Sequence, residues 1–377
     1  MTQIKANAIN DQELPTERNF VGPTSIGIVN SSTGPSSSSL FLRAVKVSLI
    51  GVISALTMLY MVYRQSEPGP AEIKPQAFAA NQGPPDFDLR QSSIAVQEIL
   101  RGGPPKDGIP AISNPKFVAA AIAGYLAPSD IVVGVTINKS ARAYPLRILN
   151  YHEIVNDQMD AIPFAVTYCP LCDSVCVFDR RTPLGEREFG VSGRLYNSNV
   201  LMYDRRGKPE SLWSQLKTTG VTGPGMEKTL KTLPVELTTW NDWKARHPET
   251  EVLSQNTGHQ RDYSVSPYGG YFTTPQLMFP VNHEDTRLPT KTRVIGIWSE
   301  DKFTAIPITA FSETNTEIHS TINGKTFSVV YSPGSKSMRV VDADPEVQWM
   351  YSFWFAWAAF HAESSIITAS DAEPVQR

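Results

Sequence analysis

The chain has 377 residues, of which 41% are hydrophobic and 10% aromatic, enough apolar material for one large or two medium cores. Its 34 Lys and Arg against 37 Asp and Glu leave a formal net charge of −3, with the signs mixed along the sequence. No basic stripe is present to recommend a nucleic acid partner, and the 29 prolines and 24 glycines, spread through the chain, favour many short strands over a helical bundle.

Residues 1–39 are polar and end in the run from Ser31 to Ser39, a low-complexity stretch that reads as a flexible tail. From Leu40 to Tyr63 the chain is apolar except for Arg43, Lys46 and small hydroxyl residues. At about 1.5 Å per residue the 40–63 segment is long enough to cross about 30 Å of hydrocarbon, with the two basic side chains snorkelling to the headgroups. The polar lead is too long for the n-region of a cleaved signal peptide, so the segment is expected to be a single transmembrane signal anchor. Arg43 and Lys46 at its near end, against Arg64 beyond it, place the rest of the chain on the periplasmic or extracellular side. Residues 64–106, rich in Pro, Gly, Gln and Ala, read as a semi-extended tether in which only Ile94 to Leu100 looks helical.

The folded part is expected to be mainly β, in the α+β class, and internally duplicated. Val132-Val133-Gly134-Val135 followed by Ala143-Tyr144-Pro145-Leu146 returns as Val294-Ile295-Gly296-Ile297 followed by Ala305-Ile306-Pro307-Ile308. Phe164-Ala165-Val166-Thr167-Tyr168 returns as Phe327-Ser328-Val329-Val330-Tyr331, and the spacing stays at 162 to 163 residues. Trp240-Asn241-Asp242-Trp243 with His247 is matched by Trp354-Phe355-Ala356-Trp357 with His361 at an offset of 114, so the second copy is shorter. The boundaries that follow are 107–255 for the first repeat, 256–290 for a connecting segment and 291–370 for the second. Each copy reads as paired β-branched strands, a hairpin, and a short helix whose Trp-x-x-Trp spacing puts both indoles on one face as core anchors.

Subtracting one copy from the other isolates a candidate site. Cys169-Pro170-Leu171-Cys172 aligns with Ser332-Pro333-Gly334-Ser335, a β-turn sequence, and Cys176 aligns with Arg339. Cys169 and Cys172 should therefore flank a turn between the strands Phe164 to Tyr168 and Ser174 to Asp179, their thiols at one hairpin tip. All three cysteines of the chain fall in this Cys-x2-Cys-x3-Cys window, and three readings are open. A structural disulfide across so short a loop contributes only about 2 kcal/mol. A redox pair would cycle Cys169 and Cys172 as catalytic thiols, with Cys176 resolving mixed disulfides. A metal site would hold Zn²⁺ or Cu⁺ through Cys169, Cys172, Cys176 and His152, the last also lost from the second copy. Covalent c-type haem is excluded because Asp173 follows Cys172. Two stretches have no counterpart in the second copy. The first, Phe189 through Gln215, carries Tyr196, Asn197, Asn199, Trp213 and Gln215. The second carries Tyr263, Tyr268 and Tyr271. These residues either line a substrate cleft over the tip or form inserted turns.

Taken together, Asp107-Gly108-Ile109-Pro110-Ala111-Ile112, Ala143-Tyr144-Pro145-Leu146, His152-Glu153-Ile154-Val155-Asn156-Asp157, Thr167 to Cys172 and Ser211-Leu212-Trp213-Ser214-Gln215 resemble the prokaryotic domain-of-unknown-function family 3179, over about Asp107 to Ile367. That family carries no settled activity. Some members are described as selenoproteins, with selenocysteine in the cysteine motif, so the resemblance implies redox chemistry there. The best functional expectation is a membrane-anchored thiol redox protein with an unknown redox partner. The alternatives are a Zn or Cu binding protein with a metal-delivery partner, and a structural or interaction protein.

Overall fold

The computed structural model describes residues 86–205 and 208–368. The tail at 1–39, the apolar segment at 40–63 and the tether as far as residue 85 lie outside the described residues, as does the chain beyond 368. Among the described residues no helix is long and apolar enough to cross a membrane. They are mainly β, with three α-helices of two turns each, Leu146–His152, Trp240–Arg246 and Trp354–Phe360.

The β-branched run Ile131–Ile137 pairs antiparallel with Ser140–Pro145 across a two-residue turn, where Asn138 takes a left-handed φ of 54°, a conformation asparagine tolerates. Glu236–Thr239 adds antiparallel on the outer edge and Glu251–Leu253 adds parallel on the inner one, closing a helical crossover through Trp240–Arg246. The second half repeats this order. Arg293–Ser299 pairs with Lys302–Pro307, Gln348–Phe353 adds antiparallel and Ser365–Ile366 adds parallel beyond the helix Trp354–Phe360. Each half also has a three-strand meander: Ile154–Met159, Ile162–Cys169 and Ser174–Asp179 in the first, Glu317–Ile322, Lys325–Ser332 and Ser337–Ala343 in the second.

The two halves are interleaved. Val175 of the first meander pairs with Tyr351 of the second half, making one nine-stranded sheet from both. Reciprocally, Ser337 of the second meander hydrogen-bonds Thr238 of the first half at 2.9 Å, and Trp349 Nε1 donates to the Val235 carbonyl at 3.0 Å. One apolar core accordingly mixes Val133, Tyr144 and Phe164 with Ile295, Phe327 and Tyr351.

A glycine opposite each helix tryptophan fixes how the helix docks. A Cβ added at Gly134 would lie 2.1 Å from the Trp243 ring, and one at Gly296 would lie 2.2 Å from Trp357. Both indoles bury their ring on that glycine and give their N–H to a hydroxyl, Thr250 and Ser364 respectively, each at 2.9 Å. His247 and His361 then lie tilted against the same two rings, centroids 4.1 and 4.2 Å apart.

The tether differs from its sequence reading over residues 86–106. Phe87 and Ile99 are buried against Leu201, Tyr203, Leu212 and Val221, and Leu100–Arg101 pairs with Leu195 and Arg194. Only Val96–Glu98 is helical, as one 3-10 turn. Spaced apolar anchors are enough to dock a proline-rich segment on a neighbouring sheet, whatever its average composition.

Candidate active site at a buried cysteine turn

The hairpin that carries the cysteines is formed by Ile162–Cys169 and Ser174–Asp179, with Cys169 opposite Ser174 and Thr167 opposite Cys176. Pro170, Leu171, Cys172 and Asp173 connect them; the Cys172 N–H closes on the Cys169 carbonyl at 3.1 Å, and Asp173 sits at φ 45°. The second half builds the same turn, with Ser332 opposite Ser337 and Lys336 at φ 49°.

Burial separates the two turns. Cys169 is 1% exposed and Cys172 0%, whereas Pro333 and Gly334 stand in solvent. The tip expected to project is instead roofed by the stretches that the second half lacks. Asn197 and Ser198, at φ 48° and 60°, make the tight turn between Glu188–Tyr196 and Asn199–Arg205. The Ser198 carbonyl oxygen lies 3.3 Å from Cys172 Sγ and 3.8 Å from Cys169 Sγ. This roof is pinned in turn: Ser198 Oγ donates to the Phe279 carbonyl at 2.5 Å, and the Asn282 N–H donates to Asn197 Oδ1 at 2.8 Å. Tyr271 closes the side by donating its hydroxyl to the Leu171 carbonyl at 2.7 Å. The second half contributes the Phe353 N–H, which donates to the Cys172 carbonyl at 2.7 Å.

A buried amide and hydroxyl network supports the hairpin. Gln215 Nε2 donates to Thr167 Oγ1 at 2.9 Å, Ser174 Oγ donates to Gln215 Oε1 at 2.6 Å, and Asn199 Nδ2 donates to both Ser174 Oγ and Gln215 Oε1. Trp213 is fully buried, set edge-on to Phe189 and close against Gly225. Tyr196 packs edge-on against Phe360. Of the residues expected to line a cleft, Asn199, Trp213 and Gln215 hold the hairpin from within, Tyr196 packs beside it and Asn197 belongs to the roof. The amides of Asn197, Asn199 and Gln215 are committed to the protein and Trp213 is fully buried, so these residues form scaffold and not an open cleft.

The two sulfurs of the turn are unequal. Burial raises both, yet Cys169 ends below the ordinary thiol range because the Cys172 thiol and the backbone N–H groups of Val200, Cys172 and Leu171 all donate to it. Cys172 is held well above that range, first by burial and then by its role as donor to Cys169 and by the charge there. Cys176 is a free thiol raised by burial, its Sγ 4.0 Å from the Val177 carbonyl oxygen. It lies one strand repeat beyond Ser174, so the pair is Cys169 and Cys172.

His152 does not join the cysteines. Its Nδ1 lies 2.7 Å from the Pro110 carbonyl and its Nε2 lies 2.7 Å from the Tyr263 hydroxyl. A carbonyl only accepts, so Nδ1 carries the proton and Nε2 accepts from Tyr263. Both nitrogens are thus occupied, and burial lowers the pKa to about 4. Among the described residues no group of three or more His, Cys, Asp or Glu is arranged to hold a metal ion. The four-ligand set drawn from the sequence is not assembled.

The next residue, Glu153, was not singled out in the sequence. It caps the helix Leu146–His152 with φ 56° and ψ −33°, and its carboxyl is buried 3.5 Å from the Tyr268 hydroxyl. Burial, and then the charge on Cys169, raise it well above the usual carboxylate range. With Leu171, Val200, Tyr268, Met278 and Phe279 it lines a cavity of about 130 Å³. The signal available was the one used for His152: an acidic group in a run that the second copy has lost.

The family model described as "Protein of unknown function (DUF3179)" matches residues 106–364. The chain belongs to this family. No curated protein and no solved structure matches it. The matched span of this DUF3179 member takes in the cysteine turn, its roof, Glu153 and the second tryptophan helix, so the roofed turn and the half that braces it lie within one family domain.

Proposed function

We propose that this DUF3179 protein is a thiol redox protein in which Cys169 and Cys172 cycle between dithiol and disulfide. One observation carries the reading: the two sulfurs of one buried turn converge on the Ser198 carbonyl oxygen, Cys172 Sγ at 3.3 Å and Cys169 Sγ at 3.8 Å. Cys169 is drawn below the ordinary thiol range while Cys172 is held well above it, so the two sulfurs differ in how readily they ionise. The thiolate is the attacking species in disulfide exchange, and the neighbouring thiol is the group that resolves the resulting adduct. A hairpin built only for shape has no need of such asymmetry, and the second half makes the same turn with serines.

The test is alkylation mass spectrometry on the full-length protein across a redox titration. The expected result is reversible, paired oxidation of Cys169 and Cys172, with Cys176 resistant to alkylation until the protein unfolds. A pair that never oxidises, or oxidises irreversibly, overturns the reading. We further propose that residues 40–63 anchor the protein in a membrane with the DUF3179 domain outside the cytoplasm, supported by the length and apolarity of that run. Protease accessibility of the domain in intact against permeabilised cells decides it.

A further inference from the structure

The cavity beside the cysteine turn is small and mostly apolar. Its volume of about 130 Å³ is near the ~150 Å³ void that accommodates a benzene-sized molecule, so it takes a ligand of a few heavy atoms. A tripeptide thiol or a protein segment is too large for it. Its walls include Ile109, Arg194, Val200, Met278 and Phe279, and it reaches the turn at Leu171 and not at the sulfurs themselves; Leu171 and Val200, which line it, are residues whose N–H groups donate to Cys169.

Glu153 is the acidic group in that wall, and its backbone is fixed tightly. The Glu153 N–H donates to the Leu149 carbonyl at 2.7 Å and its own carbonyl accepts from the Tyr168 N–H at 2.8 Å, which holds a non-glycine residue at positive φ. Such a conformation is unfavourable for a non-glycine residue and persists where the surroundings impose it. Burying its carboxyl, which raises it well above the usual carboxylate range, is a second unfavourable choice, and both are made at one residue.

An acid held above its ordinary range beside a thiol held below its own has a specific use. When a thiolate attacks a disulfide, the leaving group is another thiolate, of ordinary pKa about 8.5, and it departs without help. When a thiolate attacks an O–O bond the departing oxygen is far more basic, and a positioned acid is worth roughly 10²–10⁴-fold in rate. We infer that the cavity is a substrate pocket for a small uncharged hydroperoxide and that Glu153 is the acid that protonates the departing oxygen; this rests on the redox reading of Cys169 and Cys172.

The steps balance. The Cys169 thiolate attacks the terminal oxygen of R–O–OH, an S–O bond forms as the O–O bond breaks, and RO⁻ takes the Glu153 proton and leaves as ROH. Cys169 is then a sulfenic acid and Glu153 a carboxylate. The Cys172 thiol attacks the sulfenic sulfur, forming the disulfide, and its proton leaves with the hydroxide as water. An external dithiol returns two electrons and two protons, which restore the Cys172 thiol, the Glu153 acid and the Cys169 thiolate.

The experiment mixes reduced full-length protein with tert-butyl hydroperoxide, with bulkier cumene hydroperoxide, and with methyl methanethiosulfonate, a small reagent whose leaving group needs no proton. Modification of Cys169 is followed by mass spectrometry. The expected result is fast, one-for-one disulfide formation with tert-butyl hydroperoxide and a reaction at least about 100-fold slower with cumene hydroperoxide. Glu153→Gln should slow the hydroperoxide reaction by about 100-fold or more while leaving the thiosulfonate rate within about threefold. Equal slowing of both reagents would reduce Glu153 to a structural part and overturn its assignment. If Glu153→Gln does not fold, the size series on the unaltered protein decides alone. A protein that cycles with dithiol reagents yet meets tert-butyl hydroperoxide no faster than free cysteine does would sink the pocket assignment and leave the redox reading standing. No cycling with any reagent sinks both.

Discussion

At Cys169 burial, which raises the thiol, is outweighed by donors that draw it below the ordinary range: the Cys172 thiol and three backbone N–H groups. Removing the thiol donor with Cys172→Ala should raise the Cys169 pKa, so thiolate ultraviolet absorbance appears at higher pH and alkylation at neutral pH slows several-fold. An unchanged titration would show that Cys172 is not the donor. His152 makes a second expectation, on stability. Its folded pKa of about 4 lies below the ordinary value of 6.5, so between those values the unfolded chain binds a proton that the folded chain refuses. Stability from this group is complete above pH 6.5 and is lost as the pH falls toward 4. Facing the ring are the Pro110 carbonyl and the Tyr263 hydroxyl, with His259 and Arg261 adding positive charge that opposes protonation. Thermal melts at pH 7 and pH 5 should show a smaller drop for His152→Gln than for the unaltered protein, by on the order of 1 to 2 kcal/mol. The residue types at this site were legible in the sequence. The separation of His152 from the cysteines was not, because Pro110 and Tyr263, the partners that occupy it, are remote in the chain and arrive only through the fold.

At the level of single elements the two copies explain each other. Gly134 and Gly296 stand at the same point of the same strand, each receiving the face of a helix tryptophan. Gly134→Ala and Gly296→Ala should each destabilise by about 1–3 kcal/mol as overpacking, with larger losses if the helix must lift off its strand; chemical denaturation of the two variants measures it. A loss at one site only would mean that the helices dock differently. Strands, hairpin and tryptophan helices were legible because their pattern occurs twice in the chain and survives comparison. The roof was not. Residues from Phe189 to Gln215 and from Tyr263 onward have no second copy, and their polar and aromatic composition fits a cleft as readily as a cover. What decides between those is the set of long-range bonds from Ser198 to Phe279 and from Tyr271 to Leu171, which no local pattern encodes. The buried turn followed from the same omission, since a hairpin tip reads as exposed until something is placed above it.

At the scale of the whole molecule, interleaving decides what the second half is for. The nine-stranded sheet runs through the contact of Val175 with Tyr351, and the Phe353 N–H of the second half holds the Cys172 carbonyl. A chain cut at residue 290 would lose the Tyr351 partner of Val175 on Ser174–Asp179 and expose the face that packs on Ile295, Phe327 and Tyr351. Apolar area on that scale is sticky in water, and a bare strand edge beside it invites aggregation. The second half alone fares no better, since its meander bonds Thr238 through Ser337 and its Trp349 bonds the Val235 carbonyl, both in the first half. Expressed separately, fragments divided at residue 290 should therefore be insoluble or lack a cooperative melt, while co-expression should return a soluble complex. The cysteine pair reports on the same event: in the reconstituted complex Cys169 and Cys172 should oxidise as they do in the intact chain, and Cys176 should regain its protection from alkylation. A first fragment that melts cooperatively by itself and keeps an active pair would show that the second half braces nothing essential, and that the shared sheet is a convenience of packing and not the condition for the site.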